Sequence, residues 1–218
     1  MQYNKGNFLT SIAPVTRHLL IINVIMWLAA IAFLRARIID LNALLGLHYW
    51  QADGFNPIQF VTYMFMHDTS SIFHIFFNMF SLWMFGSLLE RVLGAKRYLF
   101  YYITCGLGAA LVQELVWHFL SEYPFFSITV GASGAVFGIL LAFGMIFPNM
   151  KMYIIPFPFP IKAKWVVLGY GLLELYFGIT GELGDVAHFA HLGGMIAGII
   201  LILYWKHNGT LTRGNGFY

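Results

Sequence analysis

Charge is what this chain has least of. Asp, Glu, Lys and Arg together make up 10% of its 218 residues, while hydrophobic residues make up 60%. With a mean hydropathy of +0.74, that balance excludes an ordinary soluble domain and points to a polytopic membrane protein. Cysteine is nearly absent. Cys105 stands alone inside an apolar run, so no disulfide framework can form within the chain. Little sequence lies outside the apolar runs, so residues 1–218 read as a single membrane domain with no room for a separate soluble one. The net charge of +3 does not mark a nucleic-acid binder, because the basic residues sit between apolar runs, where cytoplasmic loop charge accounts for them. The first residues lead into an apolar run with no evident small-residue cleavage site, so the expectation is a first transmembrane helix and not a removed signal peptide.

What is present is a series of apolar runs of bilayer length. They predict an all-α bundle of six transmembrane helices at about 18–34, 72–89, 98–120, 128–147, 164–179 and 186–205. Residues 38–57 are too short and too broken to span, with Asp40, Asp53, Gly54 and Pro57 among them. A structured loop or interfacial helix is expected there, with Tyr49 and Trp50 near the headgroups. Pro156, Pro158 and Pro160 prevent a continuous helix between the fourth and fifth spans. Six spans put both termini on one side. With the N-terminus inside, ten of the twelve Lys and Arg residues are inside, and only Arg35 and Arg37 fall outside. The positive-inside rule therefore places both termini in the cytoplasm. The loop acids Glu122, Glu182 and Asp185 then face out, and the fourth and sixth spans run parallel.

Three groups of residues inside these spans carry possible chemistry. Gly131-Ala132-Ser133-Gly134 sets a hydroxyl among small residues. The ordinary explanation is packing, since Gly134 and Gly138 form a small-xxx-small pair that lets helix backbones approach. His74 and Asn78, four apart, share one helix face. Either they hydrogen-bond between helices, or they are donors aimed at a developing oxyanion, with the Ser133 backbone N–H as a third. His191 offers what a serine lacks, a base matched to taking its proton near neutral pH. Nothing in the sequence places a carboxylate beside it. Asp185 is six residues earlier, and Glu114 and Glu174 lie on other spans, where hydrogen bonding to structure is the plainer role. A Ser-His dyad is thus the economical expectation. Placing Gly134/Gly138 level with Gly194/Gly198 sets Ser133 opposite Gly193. His191 is then about 3 Å higher and His188 about 7–8 Å higher, at 1.5 Å per residue.

Taken together, Gly131-x-Ser133-Gly134 in the fourth run, His74-x-x-x-Asn78 in the second and Ala190-His191-x-x-Gly194-x-x-x-Gly198 in the sixth resemble the rhomboid family of intramembrane serine proteases. The resemblance extends from the first span to Trp205. It implies a bacterial-type six-span core in the cell (inner) membrane, with Ser133 as nucleophile and His191 as general base. His74, Asn78 and the Ser133 amide would form the oxyanion hole. Phe137 sits where the family usually packs an aromatic ring on the imidazole. The partners implied are transmembrane protein substrates within the lipid bilayer, cleaved near its outer boundary without metal or other cofactor. Two features depart from the family. Ile58-Gln59 stands where Trp-Arg is often found, and His67 is seven residues before His74 instead of about five.

Two other readings compete. His67, His74, His188 and His191 would serve a metal-binding or transport protein, His188-x-x-His191 having helical spacing. Against this, there is no His-Glu-x-x-His signature and no acidic or cysteine ligand cluster with the histidines. The other is a catalytically inactive rhomboid-like binder of membrane substrates. Inactive relatives typically lack the serine or the histidine, and both are present here.

Overall fold

The computed structural model describes residues 12–122, 124–153, 159–181 and 187–211. The expectations for Lys5, Arg213, Pro156, Pro158, Glu182 and Asp185 lie outside them. Helix α1 (Pro14–Arg35) opens with proline in its first turn, where the missing N–H costs nothing and the fixed φ suits the helix. Its N-terminus is closed by a distant residue. The Glu90 carboxylate accepts the Val15 N–H at 2.9 Å, the Thr16 N–H at 2.7 Å and the Thr16 hydroxyl at 2.8 Å. That is the favourable place for an anion on a helix. Beyond this anchor α1 buries only a thin stripe, Leu19, Asn23 and Ala30, and presents Ile21, Ile25 and Leu28 outward.

Residues 38–57, expected as a structured loop or an interfacial helix, belong to a longer connecting segment, 38–71, of short helices, turns and a strand. Asp40 caps the short helix α2 (Leu41–Leu45) by accepting the Asn42 and Ala43 N–H groups. A two-residue strand β1 (Leu47–His48) follows, then α3 (Gln59–Thr62) and a 3-10 turn at Tyr63–Phe65. Gln59, at the position that departs from the family pattern, staples this loop. Its amide donates to the carbonyls of Leu44 and Gly54 and accepts from the N–H groups of His48 and Asn56, using both ends of the side chain. Tyr49 is buried under Phe125 and bonds the His118 ring at 2.8 Å, while the Trp50 N–H donates to Glu114.

The second span is α4 (Ile72–Ser81) and α5 (Ser87–Leu93), made continuous by a wide π-turn at Leu82–Gly86. Next come α6 (Ala95–Leu120), strand β2 (Ile128–Thr129), α7 (Ser133–Ile146), strands β3 (Lys151–Met152) and β4 (Ile161–Lys162), α8 (Ala163–Thr180) and α9 (His188–His207). Strands β1 and β2 pair antiparallel, Leu47 with Thr129 and His48 with Ile128. Among the described residues, four stretches are long and apolar enough to cross a membrane: Pro14–Arg35, Ile72–Leu93, Ala95–Leu120 and His188–His207.

The fourth predicted span needs correction. Its helix begins at Ser133, not Ile128, because Ile128 and Thr129 pair as a strand and Gly131 takes φ +129, which a helix cannot continue. The 14 residues of α7 measure about 21 Å against a hydrocarbon core of about 30 Å. A span built on α7 would need irregular backbone to complete its length, which is tolerated at membrane depth only where protein or a water-filled cavity shields it.

Helix α7 is the buried axis of the bundle, and α6 and α9 pack against it and each other. Contact is made where side chains are absent. A Cβ on Gly194 would collide with the Gly134 carbonyl, and one on Gly138 would meet Cys105 and stand 3.1 Å from the Gly194 carbonyl. The helices are parallel, but their register differs from the level alignment of the two glycine pairs. Gly194 seats between Gly134 and Gly138, while Gly198 faces Tyr101 of α6. Sequence spacing does not encode this slide, because any small residue in the stripe can serve as the contact.

The contact yields a stability test. Gly194→Ala should cost about 1–3 kcal/mol, the usual penalty for overpacking a close-packed interface. Gly169→Ala, where nothing lies within 4 Å of the added methyl, should not destabilise. Unfolding in detergent, followed by circular dichroism, compares the two.

Candidate active site

Ser133 is the first residue of α7 and half-buried. Gly131 aims it. Its N–H donates to the Tyr63 carbonyl at 2.9 Å, and its own missing side chain leaves the space that the His74 ring fills. A Cβ there would stand 2.9 Å from His74 Nε2. The first N–H groups of α7 have no acceptor within the helix and gather its positive dipole end at the serine.

His191 reaches Ser133 directly, with Nε2 2.8 Å from Oγ. Phe137, one turn along α7, stacks on the imidazole with centroids 4.3 Å apart and planes 9° from parallel. It fixes the ring's plane from one side. On the other nitrogen, Nδ1 lies 2.8 Å from Glu174 Oε2 on α8. This corrects the expectation that no carboxylate stands beside His191. An ionised carboxylate only accepts, so Nδ1 carries the proton and Nε2 presents a lone pair to the hydroxyl. The same Glu174 oxygen also takes His188 Nδ1 at 2.7 Å. His188 is buried and makes no hydrogen bond to Ser133, and its Nε2 has no partner among the described residues.

His74 and Asn78 complete the ring of polar groups. The Asp68 N–H donates to His74 Nδ1 at 3.1 Å, which leaves the His74 proton on Nε2, facing Gly131. Asn78 Nδ2 donates to the His74 carbonyl at 2.8 Å, and its second hydrogen remains for another acceptor. Both side chains line a cavity of about 630 Å³ together with Ser133 and His191. His67 packs its ring 5.2 Å from that of His74. Burial first, and then the neighbouring His74, push the His67 imidazole down to about 3, so the pair does not carry two charges. His67, His74, His188 and His191 do not converge on one point. His74 lines the cavity with His67 packed against its ring, and His188 and His191 meet at Glu174.

Of the five residues singled out from sequence, Ser133, His191, His74 and Asn78 thus meet at one cavity, and Phe137 stacks on the His191 ring behind it. Glu174 was missed as a member. The only signal for it was an acid within an apolar span, where an ionisable group is a functional candidate by default. The arrangement suits acyl transfer, with a hydroxyl, a base holding its lone pair on that hydroxyl, an acceptor fixing the base's tautomer, and donors across the cavity.

Residues 54–207 match the family model of the rhomboid domain. Mitochondrial rhomboid protein 1 of Saccharomyces cerevisiae is 32% identical over 128 residues, 58% of this chain and 36% of that protein. Chloroplastic rhomboid-like protein 11 of Arabidopsis thaliana is 29% identical over 196 residues, 76% of this chain and 62% of that protein. The rhomboid protease GluP of Bacillus subtilis is 30% identical over 128 residues, 58% of this chain and 22% of that protein. The chain spans less than two thirds of each of these relatives. The matched region takes in every one of the cavity's polar groups, and the chain belongs to the rhomboid family.

Proposed function

We propose that this integral membrane protein is an intramembrane serine endopeptidase that cleaves single-span membrane proteins near the outer membrane boundary. The observation that carries the reading is the 2.8 Å contact between His191 Nε2 and Ser133 Oγ, with Nδ1 held by Glu174. In the first step Ser133 Oγ bonds to the scissile carbonyl carbon as its proton passes to His191 Nε2. The carbonyl oxygen becomes an oxyanion, for which the Ser133 N–H, His74 Nε2–H and the Asn78 amide are the donors. Collapse expels the amine, which takes the proton from His191 and leaves an acyl ester on Ser133. Water, deprotonated in turn by His191, hydrolyses that ester. Glu174 acts through His191 as a positioning residue, which extends the expected dyad by one member.

The proposal includes a single domain of six spans, in which α7 and α8 join the four longer stretches. Both termini are cytoplasmic in a bacterial inner membrane, by the distribution of Lys and Arg. The cavity then opens outward, and a substrate helix must unwind locally to reach Ser133. Helix-breaking residues near the cleaved bond should therefore favour cleavage. The chemistry assigned here uses neither metal nor cofactor.

Four outcomes test the reading. Ser133→Ala should abolish cleavage of a model transmembrane substrate and labelling by a fluorophosphonate probe, while chelators leave the wild type active; full activity in the variant ends the proposal. Asn78→Ala should slow turnover without abolishing it, by up to the roughly 10²–10³-fold that one oxyanion donor is worth; an unchanged rate on several substrates makes Asn78 a packing residue. Glu174→Gln should lower kcat about 10–100-fold, part of what a positioned base contributes, with KM little changed. His191→Ala should eliminate turnover, and His188→Ala should retain much of it; the reverse order would reject the assignment of the base.

A further inference from the structure

Glu174, His188 and His191 gather one carboxylate oxygen and two imidazole nitrogens within 4.8 Å of one another. Glu174 Oε2 is the hub, 2.7 Å from His188 Nδ1 and 2.8 Å from His191 Nδ1. The half that serves His191 is explained by tautomer control. The half that serves His188 is not. That ring is buried, leaves Nε2 without a partner among the described residues and makes no hydrogen bond to Ser133. An isolated packing role would be met more cheaply by an apolar side chain than by a second imidazole with an unpaired nitrogen.

As a donor set, the three atoms have a clear preference. Two imidazole nitrogens and one carboxylate oxygen, with water as a fourth ligand, suit zinc and similar borderline cations. Calcium and magnesium require oxygen ligands and a larger coordination shell. Around a tetrahedral zinc with bonds of about 2.0–2.1 Å, neighbouring donors stand about 3.3 Å apart. The two short contacts would open by about half an ångström on exchanging their protons for the ion. The cluster is also reachable. His191 lines the cavity that holds Ser133, His188 lines a second one of about 770 Å³, and the three side chains keep 7–12% of their surface exposed.

We infer that Glu174, His188 and His191 form an inhibitory site for Zn²⁺ or a cation of the same class. The inference rests on the reading of His191 as the base. A metal on Nδ1 takes the lone pair there and moves the ring's single proton to Nε2. Nε2–H then faces Ser133 Oγ as a donor and has no lone pair to receive the hydroxyl proton. The ion also claims the Glu174 oxygen that holds the productive tautomer. Occupancy therefore switches off the serine without touching it.

The test separates binding from catalysis by using the full-length Ser133→Ala protein in detergent, titrated with zinc chloride by calorimetry. One Zn²⁺ should bind per chain, and neither Ca²⁺ nor Mg²⁺ should compete. His188→Ala and the closer-sized His188→Gln, in the same background, should each weaken binding at least about tenfold, the scale seen for losing one group around a metal. Melting curves identify any variant that fails to fold, and the other then decides. In the protein with Ser133 intact, zinc should inhibit substrate cleavage reversibly by chelator, and the His188 variants should need at least about tenfold more zinc. Absence of zinc binding, binding undiminished in the folded His188 variant, or full cleavage at saturating zinc would each overturn the inference. His188-dependent zinc binding in a chain without peptidase activity would uphold the site and reject the proteolytic reading instead.

Discussion

The site depends on two helix backbones touching. In lipid there is no hydrophobic gain from bringing apolar helices together, so close approach rests on van der Waals contact between small residues. Gly134, Gly138 and Gly194 provide it between α7 and α9, and Gly108 against Ala197 provides it between α6 and α9. A histidine side chain is short. Only because the α7 and α9 backbones meet without intervening side chains does His191 reach Ser133 at hydrogen-bond distance. The bundle is therefore tightest beside the candidate site and loosest at α1 and α8, whose apolar faces remain largely outward.

Much of this is legible in the sequence. The class follows from composition, and the grouping of Ser133, His74, Asn78, Phe137 and His191 follows from the resemblance of three local motifs to the rhomboid family. What escapes are relations between helices. Nothing ties residue 174 to residue 191, because their distance depends on how α8 leans on α9 and not on any period along the chain. The slide that seats Gly194 between Gly134 and Gly138 is similarly invisible, since a stripe of small residues permits several registers. The start of α7 is missed for another reason. Hydropathy counts apolar atoms and is blind to conformation, so Ile128 and Thr129 look like helix although they pair as a strand with Leu47 and His48.

Polar side chains in this bundle act mostly as staples across chain segments. Gln59 holds four backbone groups of its own loop, and Glu114 takes the Trp50 N–H. The β1–β2 pair fastens that loop to the segment leading into Ser133. The loop thus sets the floor from which Gly131 turns, through the Tyr63 carbonyl it bonds. The departure from Trp-Arg at Ile58-Gln59 has a structural counterpart, since a single amide with all its bonding capacity used performs the anchoring.

The Glu90 cap on α1 bears on how the protein is built. A carboxylate 74 residues away in sequence supplies the acceptors for the first turn of the first span. Before α1 docks, those N–H groups have no protein acceptor, and Glu90 lacks the donors that α1 gives it. Each defect is the other's remedy. Mutual neutralisation makes docking of the first span onto the second a step that completes only when both are present and correctly oriented. A helix that otherwise adheres weakly is thereby given a polar latch that lipid cannot replace.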